Sequence, residues 1–193
     1  MPEMLTTVAR TMGFSFAAGI NLYATVAILG LAQHFGWVVL PEQFRVFDND
    51  YVIGAALVLF VIEFFADKVP WLDSLWDAIH TLIRPVGGAL IAVVAMGHAS
   101  PTVEGLAALL GGTLAAGTHF TKASTRAVAN TSPEPFSNWA LSLAEDAFVI
   151  GLSTLALKYP LAAAVVVMVW FATWIVRGVR RRWQRPAVAG ARS

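Results

Sequence analysis

The stretch Phe60-Val-Ile-Glu-Phe-Phe-Ala-Asp-Lys-Val-Pro70 closes an apolar run with two acids four residues apart, then a lysine and a proline. The run, from about 51 to 66, is continuous rather than alternating, so it reads as a helix, and that spacing sets Glu63 and Asp67 on one face. A charge near the centre of a bilayer costs about 2.5 to 3.5 kcal/mol, which disfavours a lipid-facing position. Two alternatives remain. The pair forms an ion or proton site inside a bundle, or Asp67 and Lys68 sit at the interface while Glu63 pairs with a cation.

Composition sets the solvent. Of 193 residues 58% are hydrophobic and 13% charged, against roughly 25% charged in an ordinary soluble domain. Backbone groups in hydrocarbon must be satisfied by helices or a closed barrel, and continuous apolar runs select helices. The expected fold is an all-α membrane protein occupying 1–180 as a single domain, with a basic cytoplasmic tail at 181–193. A net charge of +1 gives no indication of a nucleic-acid partner, and the absence of cysteine excludes disulfides and thiolate metal sites. The bilayer is the expected partner.

Six apolar segments emerge, at about 11–33, 51–66, 86–99, 103–118, 137–157 and 160–179. The third and fourth are nearer 15 residues than the roughly 20 needed to cross about 30 Å of hydrocarbon. They either span a thinned or tilted region or form a re-entrant hairpin turning at His98-Ala-Ser-Pro-Thr102. Five arginines crowd into Arg177 to Arg185. With six crossings and that tail in the cytoplasm, both termini face the cytoplasm, together with the loops holding Lys68, Arg84, Lys122 and Arg126. Residues 71–84 form a separate amphipathic helix. Its leucines, isoleucines and tryptophans suit the membrane surface, and Asp73, Asp77, His80 and Arg84 form a solvated stripe.

Ala17-Ala-Gly19 is echoed by Ala115-Ala-Gly117, and Ile62 to Asp67 loosely by Leu143 to Phe148. This allows two inverted three-helix repeats, 5–100 and 101–180, an arrangement that places transporter sites at the repeat interface. Homodimerisation would be compatible with a conduction path between two small bundles.

The candidate ligands are Glu63, Asp67, Glu145 and Asp146, with Asn21 deep in the first run and the polar set Thr118, His119, Lys122, Arg126 and Asn138. Glu145 and Asp146 point about 100° apart, so one can face a ligand while its neighbour pairs with Lys122 or Arg126. The polar region 117–138 either lines an anion or phosphate-headgroup pocket or is a solvated helix end; Asn21 and Thr25 read as interhelical hydrogen bonding. The histidines are scattered and make no metal motif. No nucleophile elbow, P-loop or dinucleotide fingerprint occurs, so neither catalysis nor a cofactor is expected.

Gly19-Ile-Asn-Leu-Tyr23, Glu63-Phe-Phe-Ala-Asp-Lys-Val-Pro70, Asp73-Ser-Leu-Trp-Asp77 and Asn130-Thr-Ser-Pro-Glu-Pro-Phe-Ser-Asn138 occur in that order. Together they resemble a bacterial integral-membrane family, Domain of Unknown Function 4126, over roughly 11–180. Glu63 to Lys68 also looks like the Glu-x-Gly-Asp-Lys motif of a cation-transporter family with inverted three-helix repeats, although here the acids are one residue further apart and the glycine is missing. The combined expectation is a small inner-membrane transporter or channel-like protein with carboxylates as cation or proton ligands. The alternative is a non-transporting module that organises lipids or partner proteins through the 71–84 helix and the basic tail.

Overall fold

A computed structural model describes residues 2–131 and 136–183. The helices are α1 (Pro2–Ile20), α2 (Leu22–His34), α3 (Asp50–Ala66), α4 (Pro70–Met96), α5 (Pro101–Ala129), α6 (Phe136–Lys158) and α7 (Pro160–Trp183), with a short 3-10 turn at Glu42–Phe47. No strand occurs among the described residues. Their boundaries follow local chemistry. The side chains of Asn21, Asn49 and Ser100 accept hydrogen bonds from the first turns of α2, α3 and α5, and Pro70 and Pro101 occupy first-turn positions where no N–H is needed. Gly97, at φ +61° and ψ −129°, ends α4 in a backbone conformation open to glycine and strained for other residues.

The first apolar segment is two helices. Asn21 is extended (φ −145°, ψ 99°) and interrupts the run. Arg10 Nε donates to the Ala156 carbonyl near the end of α6, whereas the Asn21 amide reaches Asp146, ten residues back along α6. α1 therefore enters from the α6/α7 turn and stops partway through the bundle. Tyr23 then meets His80, and Gly30 lies against Ile53 and the Phe47 carbonyl at the start of α3. α2 thus returns to the end from which α1 came. The pair that folds back on itself is α1–α2.

The third and fourth apolar segments belong instead to α4 and α5, antiparallel helices about 40 Å long at 1.5 Å per residue. α4 continues through Pro85, so 71–84 is not a separate surface helix. Its amphipathicity is inverted relative to the sequence reading: Asp73, Asp77, His80 and Arg84 are buried, and Leu75, Ile79, Leu82 and Ile83 are exposed. That is the favourable arrangement in hydrocarbon, where polar groups shelter in protein and apolar ones face out. Among the described residues three helices are long and apolar enough to cross a membrane: α4, α6 and residues 160–180 of α7. This is a membrane protein.

With α1–α2 folded back, α3 to α7 alternate along the bundle. The Pro2 end of α1 and the Trp183 end of α7 therefore lie at opposite ends of the bundle, whereas the sequence reading expects both termini on one side of the membrane. The charge count behind that expectation included Arg84, Lys122 and Arg126, all buried in ion pairs. They are internal counter-charges and carry no topological information.

α1 is the central post. Ala17 and Ala18 are buried, and Gly19 sits so close to Ala115 and Thr118 of α5 that a Cβ would overlap them. Gly88 of α4 and Gly111 of α5 approach backbone to backbone, and Ser15 donates to the Gly88 carbonyl. Small residues let these three helices meet closely. The two Ala-Ala-Gly stretches noted in the sequence thus face each other.

Candidate functional site: a buried ionic network

The interior changes character along its length. Near the α4/α5 and α6/α7 turns it is apolar, built from Phe14, Phe16, Leu29, Phe44, Ile91 and Val149. Toward the other end, which we call the arginine end because α7 finishes there with Arg177 and Arg180, the same helix faces continue as polar residues. On α4 the buried stripe passes from Ala95, Ile91 and Gly88 to Arg84, His80, Asp77 and Asp73; on α5, from Gly111 and Ala115 to Thr118, His119, Lys122 and Arg126. The Asn21 break falls at the boundary.

Two clusters share Glu63. Arg84, fully buried, donates to Glu63 Oε1 at 2.8 Å and Asp77 Oδ1 at 3.2 Å. It also donates to His119 Nδ1 at 2.9 Å. Because an arginine cannot accept, Nδ1 carries no proton, and Nε2–H donates to Thr81 Oγ1 at 3.2 Å. In the second cluster Lys122 Nζ meets Asp67 Oδ2 at 2.9 Å, Glu63 Oε1 at 3.4 Å and Glu145 Oε2 at 3.8 Å. Arg126 binds Asp67 Oδ2 at 2.9 Å and Glu145 Oε2 at 2.8 Å, and donates to the Asn138 amide oxygen at 2.7 Å. Asn138 in turn donates to the Asp67 carbonyl.

Among the described residues, Glu63, Asp67, Asp73, Asp77, Glu145 and Asp146 thus face only Arg84, Lys122 and Arg126 as buried cations, with Lys68 at the rim over the Phe64 ring. The acids are in excess. Glu63 Oε2, Asp67 Oδ1 and Asp146 Oδ2 are buried and have no hydrogen-bond donor among the described residues. Buried anions at such positions need a proton, water or a cation. No group of three or more acids or histidines among the described residues has metal-binding geometry.

All ten candidate ligands are placed by these contacts, and nine belong to the ionic region. Thr118 is the exception: its hydroxyl serves the Phe16, Leu114 and Ala115 carbonyls, a packing role at the α1/α5 crossing. Glu145 takes the cations and Asp146 takes Asn21, as their divergent directions require. The anion-pocket alternative for Lys122 and Arg126 fails because carboxylates already surround both. The sequence reading places Asp73, Asp77, His80 and Arg84 in solvent, yet they are buried and form the α4 wall. The available signal was that their stripe continues as Gly88, Ile91 and Ala95, small and apolar residues typical of a packed face.

Asn21 has two tasks, accepting from Ala24 N at 2.9 Å and donating to Asp146 Oδ1 at 3.2 Å. Asn21→Ala is expected to lower stability by about 1 kcal/mol through the lost cap alone, and by more because Asp146 loses its donor. Asn21→Asp preserves the cap but sets two acids together. Thermal unfolding in detergent should rank wild type above both; equal midpoints would remove the role assigned to this break.

Neither curated proteins nor solved structures give a match to the chain. The family model described as Domain of unknown function (DUF4126) matches residues 8–178, a span containing every residue of the ionic network, and the chain belongs to that family.

Proposed function

We propose that the protein is a small transporter that moves protons or small cations through its carboxylate network. The observation that supports this best is the acid excess at a helix break inside the bundle, with buried carboxylate oxygens lacking donors. Purely structural ion pairing favours equal numbers of opposite charges, because an unpaired buried acid is costly. Discontinuous helices at mid-depth, with carbonyls and caps turned toward a site, are a recurrent device for ion coordination in transporters.

The network opens toward the arginine end. A cavity of about 290 Å³ between α4 and α5, lined by Asp73, Ser74, Asp77, Thr81, Arg126 and Asn130, leads from the arginine end to the network. The apolar half of the interior separates the network from the other end. This matches a carrier open at one face. In the proposed orientation the arginine end lies in the cytoplasm of a bacterial inner membrane, following the positive-inside rule. The opposite end carries Glu3, Glu42, Asp48, Asp50 and Glu104 against Arg10, Arg45 and Lys158, and would face outward.

Purified protein in proteoliposomes should dissipate an imposed proton or cation gradient, read with a trapped pH dye and ion-selective electrodes. Glu63→Gln and Glu145→Gln should reduce flux to the level of empty vesicles. Absence of flux, or unchanged flux in both variants, would count against transport. A specific feature favours the second reading, a module that holds lipid: the groove of about 650 Å³ between α5 and α7 is lined by Thr121, Ser124, Thr125, Trp174 and Arg177. Under that reading Arg177→Ala weakens retention of anionic lipid and the acids are dispensable.

A further inference from the structure

Most acids of the network have a cation within ion-pair distance. Glu63 and Asp77 meet Arg84, Asp67 and Glu145 meet both Lys122 and Arg126, and Asp73 lies 3.7 Å from Arg126. Asp146 has no such cation among the described residues. Its Oδ1 accepts from the Asn21 amide at 3.2 Å, and its Oδ2 is buried without any donor. The residue is only 7% exposed. A carboxylate with one neutral donor and no counter-charge is so costly in such a place that the group takes a proton instead. The Asn21 amide occupies Oδ1, which leaves Oδ2 to carry the hydrogen.

The position of Asp146 gives that proton a use. On the buried stripe of α6 it is the last acid before Val149 and Leu152, at the α1–α2 break where the polar half of the interior gives way to the apolar half. Ser142, four residues earlier, faces the same way, and Lys68 at the rim donates to its hydroxyl at 3.3 Å. Lys68, Ser142 and Asp146 thus form a line from the arginine end to the boundary. We propose that Asp146 is a proton-binding site, holding in its acid form the one proton moved in each cycle. This rests on the transport reading and names the proton as its substrate. The step balances. The Oδ2–H bond breaks, the proton leaves past Ser142 to water at the arginine end, the electron pair stays on the carboxylate, and a proton from the opposite face restores the acid in the carrier's other state.

The groups around Asp146 set its pH response. Glu63 and Asp67 face it from α3, Lys68 from the turn after α3, Lys122 from α5 and Asn21 from the α1–α2 break, with Glu145 beside it on α6. Of the titratable residues of α2, Tyr23 binds His80 and His34 binds Asp48. The charged residues of α1, Glu3 and Arg10, lie toward the opposite end, and those of α7 begin at Arg177. Glu63 and Asp67 oppose a further negative charge. Lys122 favours one but is already engaged by Glu63, Asp67 and the Ile20 carbonyl. Lys68, which acts on Asp146 across the Ser142 turn, compensates the carboxylate once the proton has left.

The test uses the full chain in lipid vesicles, with the proton itself as probe and infrared difference spectroscopy as readout. Wild type should show a protonated-carboxyl band at neutral pH that shifts in heavy water, and Asp146→Asn should remove it. Asparagine copies the neutral acid, so this variant should unfold at no lower temperature than wild type, while proton flux falls to the level of empty vesicles. Asp146→Glu should move the band and retain measurable flux, and it makes the assignment if Asp146→Asn does not fold. Absence of the band in wild type, a band unchanged in both variants, or Asp146→Asn carrying protons like wild type overturns the site. If any of these occurs while Glu63→Gln still abolishes flux, transport stands and only this site falls. If the band behaves as expected but wild type carries no protons, the bound proton stands and the transport reading falls.

Discussion

Arg84→Met is expected to destabilise the protein by about 3–5 kcal/mol, the usual penalty for removing one partner of a buried ion pair. Arg84 is completely buried and serves Glu63, Asp77 and His119 together. Methionine preserves much of the volume but leaves Asp77 without its ion-pair partner and Glu63 with Lys122 alone at 3.4 Å. Adding Glu63→Gln and Asp77→Asn removes both under-compensated charges and should recover most of the loss, whereas either change alone should recover only part. Thermal unfolding of purified protein, followed by far-ultraviolet circular dichroism, provides the comparison. A single Arg84→Met variant as stable as wild type would mean that solvent reaches this position freely.

Gly19→Val should be nearly as damaging, for a steric reason. A Cβ at position 19 would fall on the Ala115 carbonyl and the Thr118 hydroxyl, and 2.8 Å from the Ala115 Cα, so backbone blocks it and side-chain rotation gives no relief. α1 and α5 would have to separate two residues before Asn21, breaking Thr118–Phe16 and moving the Ile20 carbonyl from Lys122. Overpacking of this kind costs about 1–3 kcal/mol and more when rigid atoms oppose it. The milder Gly19→Ala should show the same direction. Gly54 and Gly151 have open space where a Cβ would go, so alanine there should be neutral or stabilising by about 0.5–1 kcal/mol. A similar response at all four substitutions would dismiss close α1/α5 packing as the cause.

The helical membrane class and most of the ionic cluster were legible in the sequence because charge in an apolar chain is conspicuous. Glu63, Asp67, Glu145 and Asp146 interrupt long apolar runs, and Lys122 and Arg126 recur at helical spacing. The α4 stripe was harder. Asp73, Asp77, His80 and Arg84 share a face opposite leucines and tryptophans, and the same periodicity describes a helix on a membrane surface or a bundle helix turned inside out. Which face is inward depends on what fills the interior, and that is set by the acids and cations of α3, α5 and α6.

The α1–α2 reversal was hidden for a related reason. Residues 11–33 are long and apolar enough to read as one crossing, and Asn21 alone hardly disturbs the hydropathy. Its side chain becomes a helix cap when the chain turns, and that turn is held by Asp146, 125 residues away.

Composition and run length alone determined that this chain folds as helices in a lipid environment, since hydrocarbon leaves an unsatisfied backbone no other partner. The fold-back of α1 on α2, the opposite placement of the two described ends and the identity of each ion-pair partner were decided only in three dimensions. Those features depend on long-range contacts between charged and small residues, whose energies exist only once distant helices have packed together.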